Sequence, residues 1–239
     1  MNEYNPNKTT WLNPNIEYLF DDEIIEYDMK DAGFSLIKQY RLLPDSKIKE
    51  LEILEKGFER HRAIGLIQRY DKMFSNSLLS KFAEMRSNFI SANNISNNDI
   101  LSVKKDAIFT LKRCHKTKFD SILFSEKNIY SSYIRFTEIT NLEIYYSSNK
   151  VSIKGMSDSA VNRHRLYMLD FIKSVISMIE LKDERVKRYI NNFVKKYKTG
   201  NIDEVFYLEF NNKSKDFNIV FNYKNIIIPL TKIVLKEMS

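Results

Sequence analysis

The sequence predicts an α+β protein, and three patterns carry that prediction. Apolar residues recur at helical spacing from Asp71 to Phe89, with Phe74, Leu78, Phe82, Met85 and Phe89 three or four apart. Short β-rich segments follow: 100-ILSV-103, 107-AIFTL-111, 120-DSILF-124, 129-IYSSYIRF-136, 142-LEIYY-146 and 151-VSIKG-155. Their spacing and turn residues read as an antiparallel sheet. From Ser157 the pattern returns to helix. With 43% hydrophobic residues in 239, the chain can bury a substantial core, as one large domain or two small ones.

The elements follow in order. Residues 1–20 are polar, with Trp11 and two Asn-Pro pairs, and read as an extended N-terminal arm. Residues 23–28 read as a strand and 31–42 as a helix that ends before Pro44. The charged stretch 45–63 holds a short helix, and the strong helix 71–89 is broken by 93-NNISNND-99. After the β segments come helices over about 159–181 and 183–198. The tail adds two strand-like runs, 204-EVFYLEF-210 and 225-NIIIPL-230, and 199-TGN-201 could set off a small C-terminal unit. No internal repeat or low-complexity tract occurs.

The balance of 38 Lys+Arg against 31 Asp+Glu leaves a net charge of +7. That charge suits a nucleic-acid partner, because neutralising phosphates releases counterions; a merely soluble, Lys-rich surface fits it equally well. The lone Cys114 cannot form an internal disulfide, which points to a reducing compartment. There is no apolar run of spanning length and no signal-peptide core. The expectation is a soluble, cytoplasmic protein with no membrane partner. Heavy use of Asn, Ile and Lys suggests an AT-rich genome such as many phages have, so the cytoplasm would be a host's. His61, His115 and His164 are scattered, and none stands at metal-ligand spacing from Cys114, which argues against zinc. No phosphate-binding GxxxxGK[ST] or GxGxxG occurs.

Two acids remain. Asp28 closes the strand in 23-EIIEYDMKDAGFSLI-37, where helical spacing begins, and Asp106 lies at the polar break in 100-ILSVKKDAIFTL-111. Either can be read as a cap or turn residue. If their strands pair, the two carboxylates instead form the kind of clamp that holds Mg²⁺ or Mn²⁺ for two-metal phosphoryl transfer.

In order along the chain, four segments resemble the palm of family B DNA polymerases. EYDMKDAGFSLI (26–37) is similar to motif A, and SVKKDAIF (102–109) to motif C. EKNIYSSYI (126–134) is similar to the Lys/Tyr motif at the primer terminus, and VSIKGM (151–156) to the Lys-Gly step from palm to thumb. The resemblance implies a palm-like antiparallel sheet with packed helices over 21–156, a finger-like helical insertion over about 45–92, and a thumb-like helical region over 157–239.

Asp28 and Asp106 would then be the catalytic, metal-binding carboxylates. Lys127, Tyr130 and Lys154 would touch the primer or template backbone. Arg163, Arg165, Lys187 and Arg188 would grip backbone phosphates, which position a strand without reading its sequence. Arg60, Arg62, Arg69 or Lys72 would bind the triphosphate. Gly33 stands five residues after the motif A Asp, where the family has a bulky side chain that excludes ribonucleotides. Gly33 lacks a side chain and could take a positive φ, and Phe34 is the next candidate for that gate.

The sequence departs from the family in having Lys104 in place of the first motif C acid and in lacking a clean finger motif. The expectation is also of a palm without the family's usual upstream proofreading domain. The resulting expectation is a template-directed nucleic-acid polymerase that uses nucleoside triphosphates and could accept ribonucleotides. It would be a stripped-down palm or one subunit of a larger replication or transcription enzyme. The alternatives are a catalytically silent nucleic-acid-binding or polymerase-accessory phage protein, and a phage factor that binds a host protein.

Overall fold

A computed structural model of the chain describes residues 4–136, 142–154, 162–199 and 228–239. The described residues form seven helices and two antiparallel sheets, the predicted α+β class. They divide into two units, Met1–Asn15 with Ile24–Ile129, and Ile16–Glu23 with Tyr130–Ser239. The expected 21–156 core thus spans parts of both.

The first unit is built on β3 (Ile24–Met29). Four helices follow it: α1 (Ala32–Tyr40), α2 (Asp45–Ile53), α3 (Phe58–Tyr70) and α4 (Lys72–Ala92). The chain then returns to the same sheet as a hairpin of β4 (Ile100–Val103) and β5 (Ala107–Thr110), and β5 pairs antiparallel to β3. With β1 (Trp11–Leu12), β6 (Lys118–Phe119) and β7 (Ile122–Tyr130), the sheet order is β1-β4-β5-β3-β7-β6. β5 therefore lies between β3 and β4, a split β-α-β arrangement.

Alternation decides which face of β3 does what. Ile25, Tyr27 and Met29 join the core with Phe34, Ile37, Phe74, Leu78, Phe82 and Phe89 of the helices. Each such side chain contributes roughly 1.5–3 kcal/mol by burial. The period of two then leaves Glu26 and Asp28 on the opposite face.

Two local outcomes differ from expectation. The stretch 45–63 holds not one short helix but α2 and the start of α3, separated by extended Leu54 and by Gly57 at φ 103°. The apolar stripe of α3 is thin because a charged residue, Arg60, takes one of its buried places. The N-terminal arm is fastened to the sheet: Trp11 pairs with Val103 and is buried against Tyr4. Buried Arg86 of α4 donates to the Pro6, Lys8 and Lys105 carbonyls, tying the arm to the β4–β5 turn.

In the second unit, β2 (Tyr18–Leu19), β8 (Ser132–Phe136), β9 (Leu142–Ser147) and β10 (Lys150–Lys154) form a sheet in the order β10-β9-β8-β2. Its core includes residues of α5 (Asn162–Glu180), α6 (Arg185–Thr199) and α7 (Ile228–Glu237). The strand expected over 225–230 is helical from Ile228. Pro229 is tolerated in a first turn, and Leu230, Ile233 and Val234 are buried at helical spacing. The expected run 204–210 lies outside the described residues.

Candidate active site

The register of β3 on β5 sets Asp28 directly across from Ala107, and the Met29 amide donates to the Asp106 carbonyl at 3.0 Å. Lys104 and Ala107 exchange backbone hydrogen bonds at 2.8 and 3.3 Å, which closes the hairpin with Lys105 and Asp106 at its tip. The two expected carboxylate residues are thus neighbours, Asp28 near the end of β3 and Asp106 at the adjoining hairpin tip. A slip of one residue would turn Asp28 into the helix-covered core.

Three further side chains complete the cluster. Lys127 of β7 donates from Nζ to Asp28 Oδ2 at 3.1 Å. Glu26, two residues before Asp28 and only 1% exposed, accepts from Asn128 Nδ2. Burial pushes the Asp28 carboxyl above its usual range; the charges of Asp106 and Glu26 add to this, while the hydrogen bond and charge of Lys127 oppose it. For Lys127, burial would lower the ammonium, but the hydrogen bond to Asp28 and the charges of Asp28, Glu26 and Asp106 prevail and raise it.

Glu26 escapes sequence reasoning, although its spacing from Asp28 on one strand is the clue to a shared face. Among the described residues, no three acidic, His or Cys groups converge as metal ligands. A divalent cation here would have Asp28 and Asp106 as its protein carboxylates. Water and substrate phosphate would complete the shell, a donor set that Mg²⁺ accepts.

The other expected residues separate into groups. Arg60 is 3% exposed. Its guanidinium pairs with Asp31 at 2.6 Å, donates to the Leu51, Glu52 and Leu54 carbonyls, and lies 4.3 Å from the centre of the Phe34 ring. Arg60 and Phe34 are therefore a buried clamp joining α1, α2 and α3, with no exposed guanidinium for a triphosphate. Arg62, Arg69 and Lys72 are exposed. Gly33 is helical, and the left-handed residue of the strand-to-helix turn is Asp31 at φ 46°. A Cβ on Gly33 would meet Ile64 at 3.5 Å, so this position faces α3.

In the second unit, Tyr130 is buried with its ring 5.3 Å from that of Tyr145, so a primer contact would require it to leave the core. Lys154 is half-buried at the end of β10. Lys187 and Arg188 are exposed on α6, opposite the buried Val186 and Ile190, and Lys187 donates to the Met238 carbonyl. Arg163 and Arg165 belong to α5, but their side chains lie outside the described residues.

Among known families, residues 1–236 match the Bacteriophage PBS1 gene 130 protein family. The chain belongs to that family. No curated protein matches it. The family is named for a bacteriophage protein, which accords with the Asn-, Ile- and Lys-rich composition of this chain. No helix among the described residues is long and apolar enough to cross a membrane.

Proposed function

We propose that the chain is a minimal palm-type nucleotidyltransferase that extends a nucleic-acid strand from nucleoside triphosphates in the host cytoplasm. The observation that carries this reading is the placement of Asp28 opposite Ala107, with Asp106 at the adjoining hairpin tip. A strand-end acid beside a hairpin-tip acid is the placement that the family B resemblance implies for its two metal-binding carboxylates. Asp28 and Asp106 would hold Mg²⁺ or Mn²⁺. Such ions activate the attacking hydroxyl and neutralise charge that develops on the transferred phosphoryl group.

The protein's own contribution is to position the two carboxylates by strand register, with the Lys127 ammonium balancing the Asp28 charge until a metal ion displaces it. The exposed cations of α6 would hold backbone phosphates without reading sequence. Gly33 faces Ile64 and Phe34 is buried, so neither offers a wall against a 2′-hydroxyl; this supports use of ribonucleotides.

The test is primer extension with purified protein, Mg²⁺ or Mn²⁺, and ribo- or deoxynucleoside triphosphates. Extension should be lost in Asp28→Asn and Asp106→Asn, while oligonucleotide binding persists and weakens steeply with salt. Lys187→Glu with Arg188→Glu should weaken that binding for every sequence tried. A wild type that extends no primer or template under any metal rejects the catalytic reading.

A second reading, a silent nucleic-acid-binding member of a replication or transcription assembly, draws on two observations. Lys127 occupies Asp28, and Lys104 stands where the resembled family has an acid. Salt-sensitive binding without metal-dependent turnover would select it.

A further inference from the structure

Glu26 and Asp28 stand two apart on β3, on the face of the strand turned away from the helix-covered core. Successive residues of β7 reach them. Lys127 donates to Asp28 Oδ2 at 3.1 Å, and Asn128 donates to Glu26 Oε2. The two carboxylates are not alike: the Asp28 side chain is 24% exposed at the strand end, whereas Glu26 is 1% exposed. A carboxylate buried so deeply persists only with partners for its charge and its oxygens. The catalytic reading gives Glu26 no task.

Lys127 is able to serve both acids. Positions two apart on a strand are separated by about 6.5 Å, a distance that a flexible four-carbon side chain sweeps without moving its backbone. Half of the Lys127 side chain is exposed, so a change of rotamer meets little packing. Among the charges that act on the ammonium, Glu26 comes next after Asp28. Asn128 already holds Glu26 toward β7, and a carboxylate has several acceptor positions, so it can take an ammonium beside the amide.

Metal binding at Asp28 gives this second partner its use. An ammonium and a divalent ion on one carboxylate repel each other, and an ammonium left close by without a counter-charge opposes the ion as well. We propose that Glu26 is the second seat of Lys127: on metal binding the ammonium passes from Asp28 to Glu26, off the metal ligand and still paired. Glu26 is then a positioning residue that acts on the metal through Lys127. This inference rests on the reading that Asp28 and Asp106 hold a divalent ion.

A double-mutant cycle on Mn²⁺ affinity, read by electron paramagnetic resonance without nucleotide, tests it. Glu26→Gln keeps the side chain's shape and an oxygen for Asn128, and should weaken Mn²⁺ binding about 10-fold. In the Lys127→Met background the same change should cost less than about 3-fold, because no ammonium then needs a seat. Equal losses in both backgrounds would mean that Glu26 acts by its own charge or by supporting the fold, and they overturn the proposal, as does no loss in either. The wild type supplies an independent reading. On adding Mg²⁺, the side-chain nitrogen resonance of Lys127, identified by its absence in Lys127→Met, should shift and stay protected from exchange with water. Its loss through rapid exchange would show the ammonium released to solvent and refute the second seat. A wild type that binds no Mn²⁺, with a Lys127 resonance indifferent to Mg²⁺, removes the metal reading and this inference with it. Mn²⁺ binding with additive losses removes this inference alone.

Discussion

The ammonium of Lys127 lies 3.1 Å from the Asp28 carboxylate, where the charges of Glu26 and Asp106 also act on it. A built-in cation thus holds a carboxylate that the catalytic reading assigns to a metal. Lys127 and a divalent ion would compete for Asp28. Lys127→Met should therefore tighten Mn²⁺ binding, read by electron paramagnetic resonance without nucleotide, by about 10-fold, a modest gain because the lysine is half-exposed. Unchanged or weaker Mn²⁺ binding in Lys127→Met would mean that the lysine supports the site instead of competing for it.

Asp28 carries a cost in stability that depends on pH. Its folded carboxyl titrates above the ordinary range, through burial first and the charges of Asp106 and Glu26 after it. The folded state then binds the proton more tightly than the unfolded state. This group's contribution accordingly falls as pH rises through the window just above the ordinary carboxylate value. Asp28→Asn should abolish extension yet stabilise the fold at pH 7, by less than about 1 kcal/mol because the lost Lys127 pair offsets part of the gain. The gain should shrink near pH 4. Urea titrations at the two pH values decide it, and a variant less stable than wild type at pH 7 contradicts the argument.

Arg60 fastens α1, α2 and α3 to one another through one buried side chain. Its removal leaves the Asp31 carboxylate and three backbone carbonyls without their donor. Arg60→Ala should cost about 3 kcal/mol in urea unfolding, as expected for breaking a buried pair. Arg60→Lys should recover only part of this, because a single ammonium cannot reproduce the fork. Full stability in Arg60→Lys together with a lost affinity for nucleoside triphosphate would return Arg60 to the nucleotide-binding role.

Cys114 should be chemically quiet in the folded protein. Burial pushes its thiol up to about 11, so the reactive thiolate stays scarce at pH 8. A disulfide-exchange reagent at pH 8 should label it at least about 100-fold more slowly in the native protein than in urea. Rapid native labelling would show that the 112–116 segment opens locally.

The helix of Lys72–Ala92, the strand–helix step at Asp28 and the hairpin acid Asp106 were readable from the sequence, because local periodicity and turn chemistry specify each of them. Spacing also marked β4, β5, β9 and β10, whereas the two-residue strands β1, β2 and β6 and the break at Ser131 inside the segment 129–136 were not read. Less could be read where a residue's role depends on distant partners. Arg60 looks in sequence like any exposed basic residue of a helix, and only the packing of α1 and α2 around it shows that it is a buried clamp. Tyr130 matched a functional motif, yet its ring is buried beside Tyr145. The run 225–230 has strand-like composition, but Leu230, Ile233 and Val234 gain more by burying a helical face.

By itself, then, the sequence determined the α+β class, most of the elements and the two acids at the ends of their strands, all properties of neighbouring residues along the chain. Tertiary structure alone decided that Asp28 lies opposite Ala107 with Asp106 beside it, and that Lys127 and Glu26 join them. Four helices separate β3 from β5 in the chain. The register between the two strands is set by which faces the helices cover and by the backbone hydrogen bonds of the sheet, and no local pattern in either strand encodes it.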